Sequence, residues 1–313
     1  MESKGFAYTS TESLVALEQR ARDLRFIQKA KSHQQLAGRM RSSQRGRGLS
    51  FEELRDYLPG DDIRSIDWRV TARTSRPAVR VYSEEKERPT LIVVDQRLNM
   101  FFGSRLNMKS VTAAETAMLC GWRILGSGDR VGGFVFNDHD IVEVKPHRSR
   151  NSLTAFASSI STMNNELHVG ATTEPNPGQL NSVLRRVSDI AHHDHLICVI
   201  TDFDGYDDET RDHLLRLTVR NDVYCLLVYD PFMLELPKSG DLVVSRGALQ
   251  AELPLRHDNI RNAIDGFARE RGRALKSWQR ELGLAMLPIS SAEETPPQLL
   301  HLLEQSSWRQ RRH

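Results

Sequence analysis

The stretch LIVVDQRLNMFFGS, from Leu91 to Ser104, decides the fold. Its first four residues are apolar and run directly into Asp95, after which the chain becomes a polar turn. A short apolar run that ends at a turn is typical of a strand buried on both faces. Ligands of open α/β sheets bind at the carboxyl ends of the strands, so Asp95 and the loop after it are the first candidates for a functional site.

Strands and helices alternate along the rest of the chain. Beyond Leu91–Asp95, the sequence predicts buried strands at residues 130–136, 195–201, 223–229 and 284–289, shorter strands at 78–82, 141–144 and 242–244, and helices at 109–125, 149–163, 177–191, 207–220, 259–281 and 297–305. This alternation predicts a doubly wound, mostly parallel α/β sheet covered on both faces.

Three regions are expected. Residues 1–48 would form an N-terminal amphipathic helix, with capping-box spacing at Thr9 and Glu12, followed by a basic linker. Residues 49–88 are rich in charges of both signs and would pack on the main domain, which spans residues 89–313. The basic segment from residue 20 to 47 leaves open a surface for nucleic acid or anionic lipid.

Composition and motifs limit the classes of function. The net charge of +2 indicates no bulk electrostatic partner, so nucleic acid is not expected. The three cysteines lie in apolar stretches without C-x-x-C spacing, which is typical of core thiols in a reducing compartment. No apolar run approaches the roughly 20 residues of a membrane span, so we expect a cytoplasmic protein. A P-loop, a dinucleotide fingerprint after a strand and a G-x-S-x-G elbow are absent from the sequence, which excludes these phosphate, dinucleotide and hydrolase motifs.

Charged residues cluster around one tryptophan after Pro59-Gly60. Arginine bridges carboxylates and stacks on indole rings, so the sequence predicts a local ion-pair network or a contact surface. An acid/base site is the alternative, although histidine and cysteine nucleophiles are absent nearby. The residues proposed for partner contact here are Asp61, Asp62, Arg64, Asp67 and Trp68.

Three predicted loops bring oxygen ligands to one edge of the sheet. They carry Asp95, the pair Thr172 and Thr173, and Asp202. Carboxylates and hydroxyls suit Mg²⁺, which prefers hard oxygen ligands. The alternative is that the two aspartates cap the helices that follow them.

The run R-x-Y-x-P-G-D-D-x-R-x-I-D-W-x-x-x-A-R, from Arg55 to Arg73, resembles the signature of a bacterial family, domain of unknown function fifty-eight, which carries a von Willebrand factor A-like domain. The resemblance continues through Gly128–Asp138 and Val199–Asp204. It implies a doubly wound sheet with a metal-ion-dependent adhesion site, whose pattern is D-x-S-x-S, then Thr, then Asp.

This sequence matches the adhesion pattern only in part. The resemblance assigns the metal ligands to Asp95, Asn99, Thr172 and Asp202, as a degenerate site that would bind Mg²⁺. Arg97 stands where the pattern has a serine, and it cannot ligate a cation. Its guanidinium would instead pair with Asp95 or Asp202 and replace the metal's charge, so both possibilities stay open.

The family resemblance implies a non-enzymatic adaptor that works with a MoxR-type AAA+ ATPase in the remodelling or maturation of protein complexes. Docking would use Asp95, Arg97 and Asp202 at the edge of the sheet, with the Arg55–Arg73 region as a second surface. A metal-dependent hydrolase that uses the clustered carboxylates is the first alternative. A basic nucleic-acid or membrane-surface module is the second.

Overall fold

The computed structural model describes residues 6–22, 24, 49–84, 88–168, 174–233, 236, 241–246, 249–254 and 257–310. The chain divides into two compact units. The main unit comprises Met1–Phe26 and Arg88–His313, and the second unit comprises Ile27–Glu87. The basic connector at residues 39–48 and the turn that carries Thr172 and Thr173 lie outside the described residues.

The main unit is built on a six-stranded sheet of order β10-β7-β6-β3-β4-β5. Only β5 runs antiparallel to its neighbour, β4, and the other pairs are parallel. The predicted doubly wound, mostly parallel fold is therefore confirmed. The strands are β3 (Thr90–Asp95), β4 (Val131–Phe136), β5 (Ile141–His147), β6 (Leu196–Thr201), β7 (Asp222–Tyr229) and β10 (Ala285–Ser290).

Helices cover both faces of this sheet. They are α4 (Lys109–Gly126), α5 (Arg150–Asn165), α6 (Gln179–Ile190), α7 (Asp208–Arg220), α8 (Asp258–Glu281) and α9 (Thr295–Gln310). Ile92 and Val94 of β3 join the core under α4, α5 and α9, whereas Leu91 and Val93 join the core under α6, α7 and α8. Successive strand side chains point to opposite faces, so the continuous apolar run of β3 serves two cores.

The N-terminal helix is shorter than the sequence predicts. It begins at Ser10, whose side chain forms a capping box with Ser13, and it divides into α1 (Thr11–Ala16) and α2 (Glu18–Ala21). Leu14 is buried in the core of the main unit, and the indole Nε1 of Trp122 donates to its carbonyl at 3.2 Å. The first helices are thus part of the main unit.

The second unit contains an antiparallel pair of strands and a short helix. Strand β1 (Leu49–Asp56) pairs with β2 (Ala78–Glu84), and α3 spans Trp68–Thr74. The sequence predicts β2 but not β1, because the charged residues of β1 obscure its alternation. A second unpredicted strand, β9 (Leu249–Pro254), pairs with β8 (Asp241–Arg246) in a separate hairpin.

Among the described residues, none of the helices has both the length and the apolar character needed to cross a membrane.

Candidate functional site

Four parallel strands end in aspartate at the same edge of the sheet. Asp95 closes β3, Asp138 follows β4 by two residues, and Asp202 and Asp230 come directly after β6 and β7. All four carboxylates are buried. Because the strands are parallel, their carboxyl ends meet, and this edge concentrates negative charge in a region shielded from water.

The charge of Asp95 is balanced by a guanidinium from its own loop. Arg97 Nε lies 3.0 and 3.1 Å from the two carboxylate oxygens of Asp95, and Arg97 Nη2 lies 2.7 Å from Oδ2. The backbone N–H of Arg97 donates to Oδ1 at 3.0 Å. The side chains of Arg97 and Asp95 are 2 % and 0 % exposed, so the pair is sealed inside the protein.

Two further groups complete this pair. Thr201 Oγ1 donates to Asp95 Oδ2 at 2.6 Å, and the guanidinium of Arg97 lies 5.5 Å from the ring centre of Phe136. Burial by itself would lower the pKa of Arg97, but the adjacent carboxylate of Asp95 outweighs it, and the pKa is raised. Arg97 is therefore a permanent internal cation at the edge of the sheet.

Asp202 is surrounded by donors from distant parts of the chain. Asn99 Nδ2 donates to its Oδ1 at 2.8 Å, and Lys109 Nζ lies 2.5 Å from its Oδ2. Arg271 Nη1 lies 3.9 Å from Oδ2. Burial would raise the pKa of Asp202, but Lys109, Arg271 and Arg97 hold it at about 2. The carboxylate is fixed in its charged form.

The other two aspartates fasten the loop that follows β3. Asp138 Oδ2 accepts the N–H of Leu98 at 2.7 Å. Asp230 accepts both the N–H and the hydroxyl of Ser104, at 2.8 and 2.6 Å. The pKa of Asp230 is lowered, because these hydrogen bonds and one from Ser291 outweigh its burial. The loop is held at both ends and is preorganised.

The loop after β6 stores backbone strain. Phe203, fully buried, has φ +56°, a left-handed conformation that bulky residues rarely adopt. Gly205 has φ +74°, and a Cβ there would lie 2.4 Å from Pro177 Cβ. Glycine at this position allows the loop to approach the segment that leads into α6, where the carbonyl of Pro177 lies 3.4 Å from Arg97 Nη1.

This donor set does not fit a bound Mg²⁺. Both oxygens of Asp95 are engaged by Arg97, and Asn99 turns its amide nitrogen, not its oxygen, toward Asp202. Within the described residues there is no group of three or more His, Cys, Asp or Glu side chains arranged for a metal. The guanidinium of Arg97 lies against the Asp95 carboxylate, where a cation would have to bind, and Thr172 lies outside the described residues.

The groups that reach solvent at this edge differ from those suggested by sequence. Asp95, Arg97 and Asp202 are almost completely buried, so they support the surface and do not form it. The side chains of Lys109, Arg271 and Asp204 are 12 %, 19 % and 36 % exposed. Arg271 also bonds Asp204 directly.

The sequence analysis missed Lys109, Asp138, Asp204 and Arg271. Asp138 and Asp204 had a signal, since both lie within the two motifs that resemble the family. Lys109 begins a helix, where a cation is unfavourable for the helix dipole, and that conflict was a second signal. Arg271 lies within the long helix α8, and its spacing gives no indication of the contact.

The charged residues of the second unit are mainly local structural contacts. Asp61 accepts two hydrogen bonds from Arg55, at 2.8 and 2.9 Å. Asp62 caps the short turn at Arg64, and Asp67 is the N-cap of α3. Asp67 also pairs with Arg80, at 2.7 Å. Trp68, by contrast, is 64 % exposed, and Arg64 is exposed as well.

Comparison with known proteins finds relatives in mycobacteria that are themselves uncharacterized. Two uncharacterized proteins, one from Mycobacterium bovis and one from Mycobacterium tuberculosis, are each 30% identical over 199 residues. The match covers 64% of this chain and 61% of theirs. The chain thus spans less than two thirds of the length of the curated relatives it matches.

Two solved structures show weaker similarity. The conserved hypothetical protein BatB from Bacteroides thetaiotaomicron is 14% identical, with a TM-score of 0.42, over 71% of this chain and 98% of that one. An aerotolerance-related membrane protein from Bacteroides fragilis is 15% identical, with a TM-score of 0.39, over 69% and 98%. Similarity at this level says nothing about what this chain binds. Residues 53–274 match the family described as protein of unknown function DUF58, and the chain belongs to that family.

Proposed function

We propose that this chain is a non-enzymatic adaptor whose von Willebrand factor A-like unit docks a protein partner at the carboxyl edge of its sheet. The observation that supports the proposal is the charge network at that edge. Asp95 and Asp202 are neutralised by Arg97 and Lys109 of the same chain, so neither carboxylate is available as a general base. A rigid, charged surface without a reactive group is suited to selective binding.

The partner would meet the accessible part of the network. Asp204 offers a carboxylate, whereas Arg271 and Lys109 offer cations, so the complementary surface carries both signs of charge. Buried Arg97 takes the part that a divalent ion has in an adhesion site, as a degenerate form of that site. Docking at this edge would therefore not depend on a divalent metal.

The partner that the family resemblance suggests is a MoxR-type AAA+ ATPase in the cytoplasm, acting in the remodelling or maturation of protein complexes. The second unit would add a contact surface. An exposed tryptophan beside the exposed arginines Arg64, Arg69 and Arg73 has the composition of an interface hot spot.

The two alternative functions have less support. A hydrolase would need free carboxylates, but Asp61, Asp62 and Asp67 each accept hydrogen bonds that order their own loop or helix. A nucleic-acid or membrane module would use residues 20–47, most of which lie outside the described residues.

A binding titration with the purified ATPase tests the docking edge. Asp204→Asn and Arg271→Gln should each weaken binding by about tenfold, or 1.4 kcal/mol. Asp189→Asn and Arg220→Gln serve as matched controls, because both are exposed charges at the ends of α6 and α7. EDTA should leave the affinity unchanged. Equal binding by all four variants would contradict docking at this edge, and loss of binding in EDTA would indicate a metal.

A further inference from the structure

A polar cleft lies beside the docking edge, between the turn that joins β4 to β5 and helix α6. Its volume is about 320 Å³, which is at the small end of the range for ligand sites. Its polar lining comes from His139, Asp140, Gln179, Ser182, Arg185 and Arg186. The docking network described above uses none of these side chains.

Two exposed arginines line the cleft. Arg185 and Arg186 are exposed, and within the described residues neither forms an ion pair. Some other arginines of the main unit do form ion pairs, such as Arg88 with Asp222 and Arg271 with Asp204. Two arginines that line one concave site favour an oxyanion, since each presents a planar fork of donors.

A largely buried glutamine also lines this cleft. Gln179 is 7 % exposed, and its side chain makes no hydrogen bond to any residue that the structure describes. The amide is therefore available to donate a hydrogen bond to a ligand. Gln179, Ser182 and Arg186 follow one another at i, i+3 and i+7, which places them on one face of α6.

Both walls of the cleft are fixed in advance. Asn137 Oδ1 accepts the N–H groups of His139 and Asp140, at 2.9 and 2.7 Å, and this orders the turn. Asp138 then ties the turn to the segment before α6, since its Oδ1 accepts the N–H of Asn176 at 2.8 Å. A preformed site loses less entropy when a ligand binds.

We propose that this cleft binds the carboxylate side chain of a glutamate or aspartate presented by a segment of the protein partner. The inference depends on the proposed function for the existence of that partner. Arg185 and Arg186 would hold the carboxylate, and the amide of Gln179 would donate a hydrogen bond to it. Asp140, on the opposite wall, would accept a backbone N–H of the bound segment. The Asp140 carboxylate also disfavours a doubly charged phosphate in the same space.

Short peptides test the cleft directly on the full chain. Acetyl-Gly-Glu-Gly-amide should shift the NMR signals of the Arg185 and Arg186 side chains in a saturable way, and acetyl-Gly-Gln-Gly-amide should not. Arg185→Gln/Arg186→Gln should weaken binding of the Glu peptide at least tenfold. Arg216→Gln/Arg220→Gln is the matched control, because it removes two exposed arginines from α7 and should bind as the unmodified chain does.

Gln179→Glu adds a negative charge with little change of shape, and it should also weaken binding of the Glu peptide. Equal shifts with the Glu and Gln peptides, or undiminished binding by Arg185→Gln/Arg186→Gln, would overturn the proposal. Saturable binding of inorganic phosphate without binding of the Glu peptide would overturn it as well and would assign the cleft to a phosphate group.

The same variants separate this inference from the docking proposal. If the Glu peptide fails to bind while Asp204→Asn still weakens the ATPase complex, the cleft proposal falls and docking at the edge stands. If the Glu peptide binds and Arg185→Gln/Arg186→Gln weakens the ATPase complex while Asp204→Asn and Arg271→Gln do not, the cleft proposal stands and docking at the edge falls.

Discussion

The two units of this protein use the same pair of residue types in opposite ways. In the main unit, the side chains of Arg97 and Asp95 are 2 % and 0 % exposed. In the second unit, Arg80 pairs with Asp67 at the same 2.7 Å distance, but the Arg80 side chain is 48 % exposed and the Asp67 side chain is 9 % exposed. The chemistry and the distance are alike, whereas the surroundings differ.

That difference determines what each pair can do. A buried pair has lost its hydration, so removing one partner leaves an unpaired buried charge and greatly destabilises the folded state. The intact pair therefore fixes one geometry of the loop. A pair whose arginine is exposed is screened by water and salt, and its main effect is local. The edge is therefore expected to be rigid and intolerant of substitution, whereas the second unit tolerates changes of charge.

Arg97→Ala should have the largest effect. It leaves the Asp95 carboxylate buried without its cation, so we expect a loss of about 3–5 kcal/mol in the free energy of unfolding, measured by urea denaturation. The double variant Asp95→Asn/Arg97→Met removes both charges and should recover more than half of that loss. A loss below about 1 kcal/mol for Arg97→Ala would show that the pair does not order the loop.

The second largest effect should come from protonation of Asp202 in acid, which should lower the stability of the folded protein. The pKa of Asp202 is about 2 in the folded protein, below the ordinary 3.8, so its stabilising effect is complete above about pH 4 and is lost as the pH falls toward 2. The shift corresponds to about 2 kcal/mol. Lys109→Met should raise this pKa and reduce the stability at neutral pH.

The difference in unfolding free energy between the unmodified chain and Lys109→Met should accordingly shrink as the pH is lowered through that interval. Denaturation curves at a series of pH values measure it. A difference that stays constant down to pH 2 would mean that Lys109 acts through packing and not through the charge of Asp202.

Gly205→Ala tests how closely the loops of the edge approach each other. The new Cβ would lie 2.4 Å from Pro177 Cβ, and φ at this position is +74°. Gly128→Ala is the control for the backbone, because Gly128 has φ +86° and open space around its Cβ position. Gly205→Ala should cost about 1 kcal/mol more than Gly128→Ala in thermal or urea unfolding. Equal costs would mean that the contact with Pro177 is not close.

Arg80→Ala should have the smallest effect. Arg80 is half-exposed, so solvent screens its pairing with Asp67. The loss in opening free energy, measured by hydrogen exchange of the β1 and β2 amides, should therefore be several times smaller than the loss caused by Arg97→Ala. The loss caused by Arg80→Ala should diminish further in about 0.5 M salt. A loss as large as that of Arg97→Ala would remove the contrast between the two units.

Much of the fold could be predicted because its signals are local. The apolar runs before Asp95 and Asp202 identify buried strands, and the alternation of helix and strand limits the topology. The predictions for the N-terminal helix and for strand β1 were wrong, because in both places the local sequence pattern is ambiguous. The capping box lies at Ser10 and Ser13, one residue beyond the predicted pair, and the first helix divides near Leu17. Charged residues hide β1, which is ordered by its pairing with β2.

The sequence by itself determined that aspartates end the central strands and that a positive residue, Arg97, follows Asp95 by two positions. Only the tertiary structure decided that Arg97 turns inward to Asp95 and that Lys109 and Arg271 surround Asp202. It also formed the cleft between α6 and the turn after β4. The physical reason is that strand register and helix packing bring together charges far apart in the chain, and burial, which the sequence does not state, determines their effect.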